Sequence, residues 1–149
     1  MDIKTIPPAR VLYFTTETTL AGLGSHIGKV AAELYKEAAA HELLPAGPVT
    51  WLYYGADGRP ETTFVLEIAL PVQGTSAGEP GFPVKTLPAF SCASAMHYGA
   101  WQNLPETYGK IIPALYQQGR KLSGVTREQY ICIDFINPVN NITEVQVGL

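Results

Sequence analysis

The chain has 149 residues, 46% of them hydrophobic and 15% charged, with a formal net charge of −3 and a pI near 5.5. That length suits one domain, residues 1–149, around one core. The charge leaves no basic stripe for direct nucleic-acid binding, and no apolar run approaches membrane-spanning length. The start, Met1-Asp2-Ile3-Lys4, lacks the apolar core of a signal peptide. Cys92 and Cys132 match no CxxC pattern, so a reduced, cytoplasmic setting is the expectation. His26, His41 and His97 have no metal-ligand spacing, and neither a metal nor a cofactor is expected.

In chain order, residues 1–9 read as a short lead-in closed by Pro7-Pro8, and residues 11–15 as a first strand. Ser25 is placed as an N-cap. Ile27, Val30, Ala31, Leu34 and Ala38 then recur at helical spacing up to about Leu43. Pro45, Gly47 and Pro48 end that helix. Residues 49–54 and 63–70 read as a hairpin around the turn at 55–60. The Gly-, Pro- and Ser-rich stretch 73–83 is the candidate internal boundary. A strand of small residues follows at 89–97. Asn103-Leu104-Pro105-Glu106 opens a second helix with Tyr108, Ile111, Ile112 and Leu115 as its apolar stripe. Pro113 inside that stripe is expected to kink the helix or end its first segment. A strand at 124–135, a turn at 137–141 and a last strand at 142–147 complete the chain.

The strand at 124–135 alternates with period two. One face carries Ile131, Ile133 and Phe135, which want a covering helix. The other carries Thr126, Glu128, Tyr130, Cys132 and Asp134. That face is too polar for an ordinary core and too aromatic for a plain solvated face.

Two halves align. Gly28-Lys29-Val30 and Leu34-Tyr35 match Gly109-Lys110-Ile111 and Leu115-Tyr116 at an offset of 81, and Leu66-Glu67-Ile68 matches Thr143-Glu144-Val145 at an offset of 77. Each half, about 9–72 and 89–149, reads strand–helix–strand–strand. The fold expected is α+β: two pseudo-twofold-related βαββ repeats forming a curved antiparallel sheet, helices on one face and a ligand groove on the other. At the offset of 77, Trp51 corresponds to Glu128 and Tyr53 to Tyr130. The expected groove is lined by Trp51, Tyr53, Glu128 and Tyr130, with Tyr13 as an addition. Rings attract a cation by roughly 0.5–2 kcal/mol each, and a carboxylate supplies the opposite charge. The combination suits a flat organic cation.

Nearly the whole chain resembles the GyrI-like, bacterial effector-binding domains. The likeness rests on Val11-Leu12-Tyr13, on Leu44-Pro45-Ala46-Gly47-Pro48, on Glu67-Ile68-Ala69-Leu70-Pro71-Val72, and on His97-Tyr98-Gly99-Ala100-Trp101. Glu128-Gln129-Tyr130 followed by Asp134, and Thr143-Glu144-Val145, complete it. The resemblance implies drug-sensing domains of multidrug regulators or free-standing binding proteins. It also implies pockets for bulky aromatic, often cationic compounds, and a buried glutamate at the position of Glu128. Tyr98 and Trp101 depart from the family's usual residues and would add ring area near the second helix. Relatives often carry a DNA-binding domain ahead of this one. Here the first strand begins by about Val11 and leaves no room for a helix-turn-helix, so a stand-alone binder is expected.

Three functions compete. A module sequestering or sensing xenobiotic cations is the first. Some relatives hydrolyse cyclopropane rings of alkylating natural products, and an enzyme on the same cage would use Glu128, Tyr130 and Trp51. A protein-interaction role like that of gyrase inhibitors is the third. Nothing in the spacing separates a binding cage from a catalytic one. The resemblance favours binding, and no general hydrolase activity is expected because no nucleophile–base pair is visible.

Overall fold

The computed structural model describes residues 1–149. It contains β1 (Asp2–Ile6), β2 (Ala9–Thr18), a 3-10 turn (Leu20–Ser25), α1 (Lys29–Ala40), β3 (Leu44–Pro45), β4 (Thr50–Tyr54) and β5 (Phe64–Gln73). Then come β6 (Val84–Leu87), β7 (Phe90–Tyr98), α2 (Leu104–Gln117), β8 (Val125–Cys132) and β9 (Ile142–Gly148). The nine strands make one sheet in the order β1-β7-β9-β8-β4-β5-β2-β6, with β3 attached to β5. Each pairing is antiparallel. The class is therefore α+β, with a large antiparallel sheet and few helices. Neither helix is long and apolar enough to cross a membrane.

The lead-in at 1–9 is in fact a strand. Four of the five β1 residues are exposed, as befits an edge strand that buries no face of its own, so its pattern is weak. β1 and β6 both cross over. β1 precedes β2 in sequence but pairs with β7, and β6 precedes β7 but pairs with β2. The first helix also starts later than Ser25. The Thr19 side chain caps the 3-10 turn by accepting from the Gly22 amide at 3.2 Å. Gly28 then takes a left-handed φ of 76° before α1 begins at Lys29. α2 runs through Pro113 without ending there. Gly109, one turn earlier, is exposed, so water can serve the carbonyl that Pro113 leaves without a donor.

α1 buries Leu34 and Ala38 against β5 and β2, and α2 buries Leu104, Ile111 and Leu115 against β7 and β9. Leu12, Leu66, Ile68 and Leu70 lie beneath α1 with no exposed surface. Burying each contributes about 1.5–3 kcal/mol. The central pair, β4 and β8, lies between the helices, which pack mainly on the strands either side of it. Trp51 sits directly across from Glu128 in that pair.

This corrects the expected faces. Trp51 and Tyr53 belong to the core cluster under α1, and Glu128 bonds to Tyr108 on α2. The aromatic face is thus the helix face, and the groove opens between the helices rather than on the sheet's other side. Ile131, Ile133 and Phe135 do not form the single buried row expected beneath a helix; they are 45%, 42% and 64% exposed, and Ile133 and Phe135 line the cavity instead. The alternation breaks at a register slip between Tyr130 and Cys132, and the chain leaves the sheet after Cys132.

Candidate functional site

A cavity of about 970 Å³ occupies the space between α1 and α2 above β4 and β8. That is the size range of small-molecule sites. Trp51, Tyr53, Thr126, Glu128 and Tyr130 form its floor. On the α1 side the lining is Gly28, just ahead of the helix, with Ala31, Ala32 and Tyr35 on it; the three small residues leave room. The opposite wall carries Tyr108, Ile112 and Tyr116 from α2.

Glu128 is the polar centre of that floor, 5% exposed. Its Oε2 accepts from the Tyr53 hydroxyl at 3.0 Å and the Tyr130 hydroxyl at 2.6 Å. Its Oε1 accepts from the Tyr108 hydroxyl at 2.6 Å. Burial first, and the neighbouring Glu128 charge second, hold all three phenols well above the usual tyrosine range. They therefore stay neutral donors. No lysine, arginine or histidine lines the cavity, so no protein cation offsets the carboxylate. A second acid, Asp57, lies on the lining and accepts from the Arg59 amide and the Thr62 hydroxyl, each at 3.0 Å. Those bonds hold its carboxyl below the usual aspartate range.

Four rings run in file beside Glu128. Trp51 meets Tyr130 edge to face at 5.9 Å, Tyr130 meets Trp101 at 5.4 Å, and Trp101 meets Phe135 at 5.9 Å. Trp101 is fixed by its indole N–H, which donates to the Thr143 hydroxyl at 3.2 Å. His97 holds the approach to α2: its Nε2 donates to the Ala100 carbonyl at 2.9 Å, and its Nδ1 pairs with the Thr107 hydroxyl at 2.8 Å. Phe135 extends across the cavity end to lie over Gly28. The loop that carries it is tied by Asp134, whose carboxylate accepts from the Ile136 and Asn137 amides and the Asn140 side chain.

Of the residues singled out from sequence, Glu128, Tyr130, Trp51, Tyr53 and Trp101 line this cavity. Tyr13 and Tyr98 do not. Tyr13 lies on the helix-free side of the sheet under the Lys85 amine, 4.2 Å from its ring centre. Tyr98 is 72% exposed at the end of β7. Sequence reasoning missed Tyr108 and Phe135. Tyr108 stands in an apolar helical stripe, and the available signal was its hydroxyl, which needs a partner once buried.

The helix-free side of the sheet is built differently. Glu67 bonds to Lys85 at 2.6 Å and accepts from the Tyr54 hydroxyl at 2.8 Å. Glu144 is bonded by Lys4. Arg127 stacks its guanidinium over Phe90 at 4.0 Å, and burial lowers its pKa. No group of three or more His, Cys, Asp and Glu side chains converges to hold a metal ion, and Cys92 and Cys132 are unpaired.

The chain matches the model of the GyrI-like small molecule binding domain over residues 1–148. Among solved structures it is similar to the EcmrR C-terminal domain, at 18% identity and a TM-score of 0.82, covering 99% of this chain and 94% of that one. In the EcmrR–DNA complex the match covers 98% of this chain and spans only 55% of the EcmrR chain, at 20% identity and a TM-score of 0.81. It is also similar to SAV2435 bound to tetraphenylphosphonium, at 14% identity and a TM-score of 0.66, covering 99% and 93%. A hydrolase encoded by lin2189 from Listeria innocua is similar at 11% identity and a TM-score of 0.67, covering 98% and 89%. At these identities the likeness shows the fold. No curated protein matches the chain in sequence.

Proposed function

The chain belongs to the GyrI-like small-molecule-binding domain family, and from that premise we propose that its cavity binds bulky aromatic, preferentially cationic compounds with Glu128 as the charge partner. One observation carries this reading: a carboxylate 5% exposed, held by three neutral phenols, in a cavity without a basic residue. Its charge is desolvated and left without a protein counter-ion, so a ligand cation gains the full attraction. Trp51, Trp101 and Tyr130 supply ring area around it. Tetraphenylphosphonium, the compound bound to the similar SAV2435, has the shape and charge this site suits.

Hydrolysis fits less well. Glu128 would have to take a proton from water, yet three phenols already occupy three of its about four acceptor positions. The sheet order supports reading residues 9–72 and 89–149 as pseudo-twofold repeats within one domain. β4-β5-β2 on one side of the central pair is matched by β8-β9-β7 on the other.

Calorimetric titration with tetraphenylphosphonium and neutral triphenylphosphine oxide tests the reading. The cation is expected to bind at least about tenfold more tightly, a difference of about 1.4 kcal/mol, and Glu128→Gln should remove most of that advantage. Trp51→Ala should weaken both ligands, because it removes stacking area and not charge. Equal affinity of the wild type for cation and neutral analogue would sink the proposal.

A further inference from the structure

We infer that the cavity discriminates among cations by their hydrogen-bonding groups, favouring onium ions without N–H donors over protonated amines. The inference rests on the cation-binding reading above and goes beyond it, since a charged floor alone would attract both kinds. What decides is acceptor capacity. A carboxylate offers about four lone-pair positions. In Glu128 the Tyr53, Tyr130 and Tyr108 hydroxyls fill three of them, two on Oε2 and one on Oε1. A primary ammonium brings three N–H donors, each bonded to water before it binds. Inside the cavity it finds at most one free position on the buried acid.

Other acceptors are few. Asp57 spends about two of its four positions on the Arg59 amide and the Thr62 hydroxyl, and it is exposed to water, so it is no part of the desolvated floor around Glu128. The carbonyls of β4, and of β8 as far as Tyr130, are engaged in the ladders with each other and with β5 and β9. The phenol oxygens keep lone pairs, but a neutral oxygen is a weaker partner for a cation than a carboxylate. An ammonium therefore leaves donors unmet in a site that is mostly apolar, and each unmet buried donor is costly. A quaternary ammonium or phosphonium has no donors to lose. It keeps the Coulomb attraction of Glu128 and the ring faces of Trp51, Trp101 and Tyr130. Burial and the adjacent charge keep the phenols protonated, so they remain donors to Glu128.

The test uses the trimethyl(naphthylmethyl)ammonium ion and the primary naphthylmethylammonium ion. Both are titrated into the wild type, Tyr108→Phe and Tyr130→Phe. Methyl groups alone add affinity in any apolar cavity, so the readout is the ratio of the two dissociation constants across the variants. The wild type should favour the quaternary ion by about tenfold or more, consistent with one unmade bond to a charged group. Tyr108→Phe frees a position on Oε1 and keeps the ring, and should shrink that ratio roughly fivefold. Tyr130→Phe should move it the same way through Oε2, so the test survives if one variant fails to fold. If both cations bind and the ratio is the same in all three proteins, acceptor saturation is not the selector and the inference is overturned, while the cation-binding reading stands. If neither cation binds the wild type, that reading falls and takes the inference with it.

Discussion

Glu128 and Glu67 lie on neighbouring parts of one sheet, 5% and 6% exposed, and are compensated in opposite ways. On the helix-free side, Glu67 has Lys85 and Glu144 has Lys4. Those pairs close that side with the protein's own charges. On the helix side, Glu128 has hydroxyl groups only. A buried carboxylate with a fixed counter-charge is a structural element, whereas one held by neutral donors retains its attraction for a cation from outside. On the proposed reading, the arrangement of partners, and not the depth of burial, separates a structural acid from a receptive one.

The comparison is broken most directly by ligand affinity. Glu128→Gln is expected to weaken a cationic ligand by about 1.5–3 kcal/mol, the range for bonds to charged groups. Glu67→Gln and Glu144→Gln, on the far side of the sheet, should change it by no more than a few tenths. Titration of the three variants with one cation decides it; an equal loss in Glu67→Gln would erase the distinction between the two sides.

Stability should respond in the reverse sense. Lys85→Met strands Glu67 beside Tyr54 without its cation. Breaking a fully buried pair costs about 3–5 kcal/mol. The Lys85 side chain is 33% exposed, so solvent screening reduces the expected cost to about 1–2 kcal/mol. Urea denaturation should show that loss, and a smaller one for Lys4→Met, whose side chain is 40% exposed. The unliganded Glu128→Gln protein loses a buried charge that has no cation but also loses an acceptor, since an amide nitrogen cannot accept from a phenol. The two effects oppose, and its loss should be smaller than that of Lys85→Met.

Spectroscopic titration of the phenols sharpens the contrast. Tyr53, Tyr108 and Tyr130 are raised by burial and then by Glu128, and Tyr54 by burial and then by Glu67. Glu128→Gln should lower the first three and leave Tyr54 in place, while Glu67→Gln should do the converse. A phenol raised in the folded state contributes stability that is complete below its unfolded pKa of about 10. That contribution is lost as pH rises through the folded values, so unfolding should become easier in alkali above about pH 10.

The smallest effect concerns a third acid. Asp134, like Glu128, is held by neutral donors, but it is only partly buried. The Asn140 side chain first, and then the Asn137 amide, lower its pKa. Its contribution to loop order is therefore present above the ordinary aspartate pKa of about 3.9 and lost as pH falls through the depressed folded value. Carboxyl-carbon NMR should place its midpoint below an ordinary aspartate, and Asn140→Ala should return it part of the way.

Much of this was legible in the residues. Period-two alternation put Glu128 and Tyr130 on one face, and the offset between halves linked Trp51 to Glu128, which the sheet makes direct neighbours. The face taken by the helices was not legible. Alternation tells which residues share a side, but not which side a helix covers. Ile131, Ile133 and Phe135 pointed the wrong way because the pattern continues through the slip after Tyr130. Tyr13 was misplaced for another reason: Val11-Leu12-Tyr13-Phe14 offers bulky apolar residues to both faces. β1 was invisible because an edge strand with both faces wet has no hydrophobic signature.

The crossed strands bear on how the chain is born. β1 is made roughly 90 residues before its partner β7, so it waits long to be secured. β6 is made just before β7 but must turn back to β2. Closing such long loops is entropically slow. Until it happens, the incomplete chain shows two open sheet edges to its surroundings. Once closed, each half holds an edge strand belonging to the other. Cleavage in the 73–83 connector should therefore leave two fragments that stay clasped, and that regain a folded state only when mixed.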